Sequence, residues 1–235
     1  MLVIGDEILS GRTRDANMHH LAGQLTLKGV RFCEARVVSD DKSAIVEAVR
    51  SLSDSHNHVF TSGGIGPTHD DITADAVASA FSTPIDVRSD ALAVLQAHYD
   101  RNGIELNDAR RRMARIPDGA ILIDNPISAA PGFSLGNVHV MAGVPTIFEA
   151  MVASVLATLE GGAPLLSETM RLELPEGEIA GPLADVALQF PELSFGSYPY
   201  FTKGVPGANV VIRGTDMSQV QAALVVLRQR MQGSK

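Results

Sequence analysis

The stretch Thr61-Ser62-Gly63-Gly64-Ile65-Gly66-Pro67-Thr68-His69-Asp70-Asp71-Ile72-Thr73 constrains this chain more than any other. An apolar lead-in, His58-Val59-Phe60, runs into three glycines within four residues, and Pro67 then turns the chain toward an alanine-rich run. The order is strand, tight turn, helix start. Glycine permits positive φ and lets a ligand approach the main chain closely. The bare N–H groups at the following helix start favour an anion such as phosphate. Asp70 and Asp71 conflict with an anion site unless a hard cation such as Mg²⁺ joins them. The simpler alternative is a plain strand-to-helix turn in which Thr68 or Asp70 caps the helix. His69, beside two aspartates, is either a metal ligand or an ordinary surface histidine.

The pattern around this turn predicts an α/β chain. A buried strand ends at Met1–Ile4, so some residues are expected to precede it. Gly5 to Arg12 reads as a loop, and Asp15 or Asn17 caps a helix that Gly29 ends. A second strand is expected over Val30–Val38. Ser39-Asp40-Asp41, with Asp40 a candidate cap, then starts a helix to Leu52 whose apolar stripe is Ile45, Val46, Ala48, Val49 and Leu52. After the strand at 58–61 and the glycine turn come helices over 72–81, 89–101 and 107–115. The last carries Arg110, Arg111, Arg112 and Arg115 as a solvated face. A strand follows at Ile121–Ile123, then a loop through Asn125-Pro126 to Pro131-Gly132-Phe133, a strand over Val138–Ala142 and a helix from Pro145 to Leu159, on which Glu149 is a surface residue. Alternating strands and helices imply a doubly wound, mostly parallel sheet whose ligands sit at the strands' carboxyl ends. Gly161-Gly162-Ala163-Pro164 divides this domain, residues 1–160, from a small α+β domain, residues 165–235. The tail's order is β-α-β-β-α, with a hairpin across Lys203–Gly207.

Composition narrows the classes. Nothing in the 235 residues approaches the roughly 20 uninterrupted apolar residues of a membrane span, and no signal peptide opens the chain. A net charge of −8 argues against a nucleic-acid partner. The single cysteine, Cys33, is expected to fill core space in a cytoplasmic protein.

Four segments together resemble one family. Gly5-Asp6-Glu7-Ile8-Leu9-Ser10-Gly11-Arg12 with Asp15 and Asn17 is similar to the opening motif of the molybdopterin-binding domain, and Thr61–Thr73 resembles its glycine-turn signature. Asn125-Pro126 with Ala130-Pro131-Gly132-Phe133 resembles a loop of the competence/damage-inducible protein A branch. Met141-Ala142-Gly143-Val144-Pro145 followed by Phe148-Glu149-Ala150-Met151 resembles a further motif, and Phe195–Tyr200 looks like the tail of the same branch. Ile65 and Ala142 depart from the usual threonine and proline. The chain stops where longer members add an amidase domain, so that activity is not expected.

The resemblance implies a pocket for a phosphorylated molybdopterin-type pterin or an adenine nucleotide, with Mg²⁺ or another divalent ion. In that reading Gly63, Gly64 and Gly66 cradle phosphates, with Ser62 and Pro67 beside them. Asp40 and Asp71 are the acidic pair, and Asp70 joins them at the metal. Asp6 and Glu7 complete the shell or act as general base, and Arg12 pairs with a phosphate. Gly5, Ser10 and Gly11 belong to the same opening loop. Asn125, Ala130, Pro131 and Gly132 wall the base or pterin, and Gly143 and Pro145 close the site. Three functions are open: a binding module, a metal-dependent pyrophosphatase splitting a nucleoside diphosphate sugar such as ADP-ribose, and a non-catalytic assembly subunit. The resemblance also implies a homo-oligomer, a dimer or trimer.

Overall fold

A computed structural model describes residues 1–202 and 204–233. The chain divides into two compact units, one of residues 1–25 and 31–160, the other of residues 26–30 and 161–235.

The first unit runs β1 (Leu2–Ile4), α1 (Asp6–Leu9), α2 (Asn17–Leu27), β2 (Arg36–Val38), α3 (Lys42–Ser55), β3 (Val59–Ser62), α4 (Thr73–Ala80), β4 (Ile85–Val87), α5 (Ser89–Arg101), α6 (Asp108–Arg111), β5 (Arg115–Pro117), β6 (Ile121–Ile123), β7 (Gly132–Leu135), β8 (Val138–Met141) and α7 (Pro145–Thr158). Its main sheet has the order β2-β1-β3-β8-β7-β6. β1 pairs parallel with β2 and β3, and β3 parallel with β8, in the register Val3↔Val37, Val3↔Ser62 and Thr61↔Val140. β7 is antiparallel to both β8 and β6, so β6 again points the way of β8. β1, β3 and β8 are buried at every position and do not alternate with exposed polar residues, although β3 and β8 bury Thr61, Ser62 and His139 among their apolar residues. Chain reversal from β1 to β2 on one side and to β3 on the other creates a switch point beside β1, as a doubly wound sheet requires.

Packing follows the sequence pattern. Asp41 caps α3 by accepting from the Ala44 amide at 2.9 Å, and the buried stripe Ile45, Ala48, Val49, Leu52 repeats at helical spacing. These residues join Leu2, Val77, Leu95 and Phe133 in one core.

Four local expectations are corrected. Gly5–Arg12 is not all loop, because α1 forms at Asp6–Leu9. The strand expected from Val30 begins only at Arg36, and without a strand to bury it Cys33 is exposed. The helix expected over 107–115 stops at Arg111, passes through a 3₁₀ turn (Arg112–Ala114) and ends in β5, antiparallel to β4. Pro117 bars helix from the residue before it, and the Arg88 amide takes the Ala114 carbonyl at 2.9 Å. Gly132 and Phe133, expected as the end of a loop, begin β7, which a two-residue Gly136-Asn137 hairpin joins to β8; Gly136 has φ +57°.

The second unit runs β9 (Leu166–Leu172), α8 (Glu176–Gln189), β10 (Ser194–Thr202), β11 (Val205–Gly214) and α9 (Met217–Gly233). Its antiparallel sheet has the order β10-β11-β9. One face buries Met170, Ala208, Val210 and Ile212 against Ile179, Val186, Val220 and Leu227. The expected hairpin is present as the β10–β11 pairing, although its Lys203 lies outside the described residues. Among the described residues no helix is long and apolar enough to cross a membrane.

Candidate functional site

Because β1, β2, β3, β6 and β8 run the same way, their carboxyl ends share one edge of the sheet. They deliver Gly5 and Glu7, Asp40, the Gly63–Asp71 turn, Asn125, and Ala142–Val144 to a common cleft of about 480 Å³. That volume suits a nucleotide-sized ligand.

The glycine turn is fixed from three sides. Gly63 has φ +109°, and a methyl group there would stand 2.2 Å from the Ile4 carbonyl oxygen. Its amide donates to the Met141 carbonyl at 3.1 Å. Gly64 has φ +69°, and its Cβ would stand 2.1 Å from Thr73 Oγ1, which donates to the Gly63 carbonyl at 3.0 Å. A side chain on Gly66 would meet the Asp71 carboxylate at 2.7 Å. Gly63 and Gly64 are therefore required by packing as well as by backbone angle, whereas Gly66 is constrained by the Asp71 carboxylate alone.

The acidic groups have defined partners. Asp71 Oδ2 accepts from the Thr68 amide at 2.8 Å and from Thr68 Oγ1 at 2.5 Å, closing the turn on itself. Asp40 Oδ2 accepts from the Asp6 amide at 2.9 Å. Burial pushes the Asp40 carboxyl above its ordinary pKa; that Asp6 amide opposes the rise, while the carboxylates of Asp6, Glu7 and Asp70 add to it. Glu7, Asp40, Asp70 and Asp71 all line the cleft, and no lysine or arginine does among the described residues. An anion entering this cleft meets like charge unless a cation comes with it.

Of the other expected site residues, Gly5, Pro67, Ala130 and Gly143 line the cleft with the glycines. Ser10, Gly11 and Arg12 do not; they are exposed beyond α1, which turns Glu7 inward and carries the chain away. Asp6 is likewise exposed and contributes its backbone amide. Pro131 backs the glycine turn instead, lining a crevice of about 20 Å³ behind it. Gly132 sits in β7, where a Cβ would stand 2.4 Å from the Val140 carbonyl. Pro145 opens α7 at its first turn, where a proline loses no helical hydrogen bond. Ser62 is buried and accepts from Asn17 Nδ2 at 2.7 Å. His69 is fully exposed, 3.9 Å from Asp70. Among the described residues no three His, Cys, Asp or Glu side chains are grouped to hold a metal by themselves.

Two asparagines act as scaffolding. Asn125 is 3% exposed, and its Nδ2 donates to Ser128 Oγ at 2.7 Å and to the Ala130 carbonyl at 2.8 Å. Its Oδ1 accepts from the Ile127 and Ser128 amides at 3.1 Å each. Its donors and acceptor are thus spent on shaping the loop that bears Ala129 at φ +61°, rather than on reading a base. Asn125→Ala is expected to lower stability by about 2 kcal/mol, read as a shift of the urea midpoint, because buried backbone partners lose their bonds. Asn17, whose place in the opening motif was the only signal, is 4% exposed and also donates to the Gly143 carbonyl at 2.8 Å. It ties the start of α2 to the ends of β3 and β8. Asp15, by contrast, is a helix cap that accepts from the Met18 amide at 3.0 Å. Met113, Val144 and Ile147 add an apolar wall that the sequence did not mark.

The pattern of the family described as "Probable molybdopterin binding domain" matches residues 1–161. The chain belongs to this family. Residues 164–235 match the family described as "FAD synthase, middle domain". A "CinA-like protein" of Geobacter sp. (strain M21) is 36% identical over 241 residues, covering 98% of this chain and 57% of the relative. A "Probable FAD synthase" of Caenorhabditis elegans is 31% identical over 257 residues, covering 99% of this chain and 50% of the relative. The chain thus spans about half the length of these two relatives. The crystal structure of "the protein CinA with unknown function" from Thermoplasma acidophilum superposes with a TM-score of 0.60 at 33% identity, covering 66% of this chain and 92% of that one. CinA-like kinship and the molybdopterin-binding-domain fold agree with the mostly parallel sheet that builds the cleft.

Proposed function

We propose that the cleft binds a phosphorylated ligand, a molybdopterin-type pterin or an adenine nucleotide, with a divalent cation such as Mg²⁺ between its phosphates and the protein carboxylates. One observation carries this reading. Glycine-turn backbone open to close approach faces four carboxylates with no basic side chain in the lining. Phosphate in such a place needs counter-charge, and a hard cation supplies it. Mg²⁺ takes one or two carboxylates together with substrate phosphate oxygens, so a three-residue protein cluster is not required. Asp40, just past the end of β2, and Asp71, on the far side of the glycine turn, are the residues we assign to it, with Asp70 beside them. The C. elegans relative's name, a probable FAD synthase, favours the adenine nucleotide over the pterin.

A second reading, a metal-dependent pyrophosphatase, draws on Asp40 and Glu7. A carboxyl raised by burial beside a second carboxylate suits proton uptake from an attacking water. The bound cation would polarise a phosphoryl oxygen. Both readings are tested with Asp71→Asn and Asp40→Asn. Each substitution is expected to weaken Mg²⁺-dependent ADP-ribose binding about tenfold or more, equivalent to about 1.4 kcal/mol. AMP release that needs the metal and vanishes in both variants establishes the enzyme. Binding without AMP release leaves a binding module, and binding unchanged in both variants contradicts the carboxylate assignment.

A further inference from the structure

The lining of the cleft leaves one electrostatic gap. A divalent ion offsets two of the four carboxylates, and a diphosphate brings in more negative charge than it removes. A basic group at the rim would close that gap.

The arginine run beside the cleft contains a single residue placed to do so. Arg110 is spent on the Glu105 carbonyl at 2.5 Å and lies over the Tyr99 ring at 5.1 Å. Arg115 is spent on Asp75 at 2.6 Å. Arg111 and Arg112 remain, both exposed. Of these two, Arg112 alone borders the crevice behind the glycine turn, which shares Gly64, Ile65, Gly66 and Asp71 with the main cleft. The crevice, about 20 Å³, has room for little more than a water, so it is no subsite of its own. The next residue, Met113, lines both spaces, so the 3₁₀ turn holding Arg112 and Met113 borders the cleft through Met113.

We infer that Arg112 is a ligand-binding residue, its guanidinium pairing with a phosphate of the ligand across the glycine turn. A planar fork of N–H donors fits two phosphate oxygens at once, which an ammonium cannot do. This rests on the phosphorylated-ligand reading above. The pairing strengthens the site's preference for phosphorylated over bare nucleosides beyond what the carboxylate-held cation provides.

The test compares wild type, Arg112→Gln and Arg111→Gln as full chains, with ADP-ribose and adenosine as probes in Mg²⁺. Arg112→Gln is expected to bind ADP-ribose about tenfold more weakly, the scale of one charge-assisted pair, with adenosine binding unchanged. Arg111→Gln, at a residue that is also exposed but lines neither space, is expected to bind both as wild type does. Equal ADP-ribose affinity in wild type and Arg112→Gln overturns the inference and leaves the broader reading standing. Equal loss in the two variants also overturns it, because the effect is then general charge. If wild type binds no ADP-ribose, the phosphorylated-nucleotide reading fails and takes the inference with it.

Discussion

Gly63→Ala is expected to cost about 3 kcal/mol or more of stability and to abolish ligand binding. Two costs coincide at this position. Alanine is strained at φ +109°, and its methyl would stand 2.2 Å from the Ile4 carbonyl oxygen. That oxygen belongs to the end of β1, which cannot yield without parting from β3. Gly143 closes the other side, its Cβ position lying 3.2 Å from the Gly63 Cα. Gly11 provides the control. It also has positive φ, +72°, but nothing stands within 4 Å of its Cβ position. Gly11→Ala should therefore show backbone strain alone, about 1 kcal/mol. Urea unfolding followed by circular dichroism reads both, and equal midpoints for the two variants would contradict the packing described for the turn.

The second large effect is a loss of stability in acid through His139. Burial, and then the neighbouring His58, hold its pKa down at about 4. The side chain is 6% exposed; its Nδ1 lies 2.8 Å from Ser134 Oγ and its Nε2 lies 3.2 Å from His58 Nδ1. The unfolded chain takes up a proton near pH 6.5, whereas the folded chain resists until about pH 4. Between those values the unfolded state binds more protons, so stability falls as pH falls. The contribution is complete above pH 6.5 and about 3 kcal/mol is lost by pH 4. His139→Gln keeps a polar group at this position and removes the titration. Its unfolding free energy should therefore fall less steeply than that of wild type between pH 6.5 and pH 4.5. Parallel slopes would show that other groups dominate the acid response.

What the sequence disclosed follows the range of the forces involved. The all-buried strand Leu2–Ile4 was legible because burial on both faces demands continuous apolar residues, and Val59–Ser62 because its apolar start runs straight into the glycine turn. The glycine turn was legible because only glycine tolerates its angles. β4 and β5 were not, since they pair across some 30 residues, β4 is largely exposed and Arg115 of β5 continues a helical pattern of arginines. Gly136-Asn137 did carry a hairpin signal, but Pro131 and Gly132 made the segment before it read as loop. At the site, Glu7 and Asp40 were legible as cleft residues because each lies just past the carboxyl end of a strand, and Asp71 because it closes the glycine turn that follows β3. Arg12 was misplaced because residue type was matched to phosphate without knowing that α1 would carry it outward. Asn125 lines the cleft as expected, and the structure shows in addition that its amide holds its own loop. An asparagine in a loop can face a ligand or hold its own backbone, and only the four bonds around its amide distinguish the two.

The central claim is that phosphate and cation enter the cleft together. Calorimetric titration of ADP-ribose into the full chain, with Mg²⁺ and with chelator, tests it most directly. The account predicts an affinity at least about tenfold higher with Mg²⁺, a linkage of about 1.4 kcal/mol, lost in Asp71→Asn. An affinity that is the same or higher in chelator would contradict it.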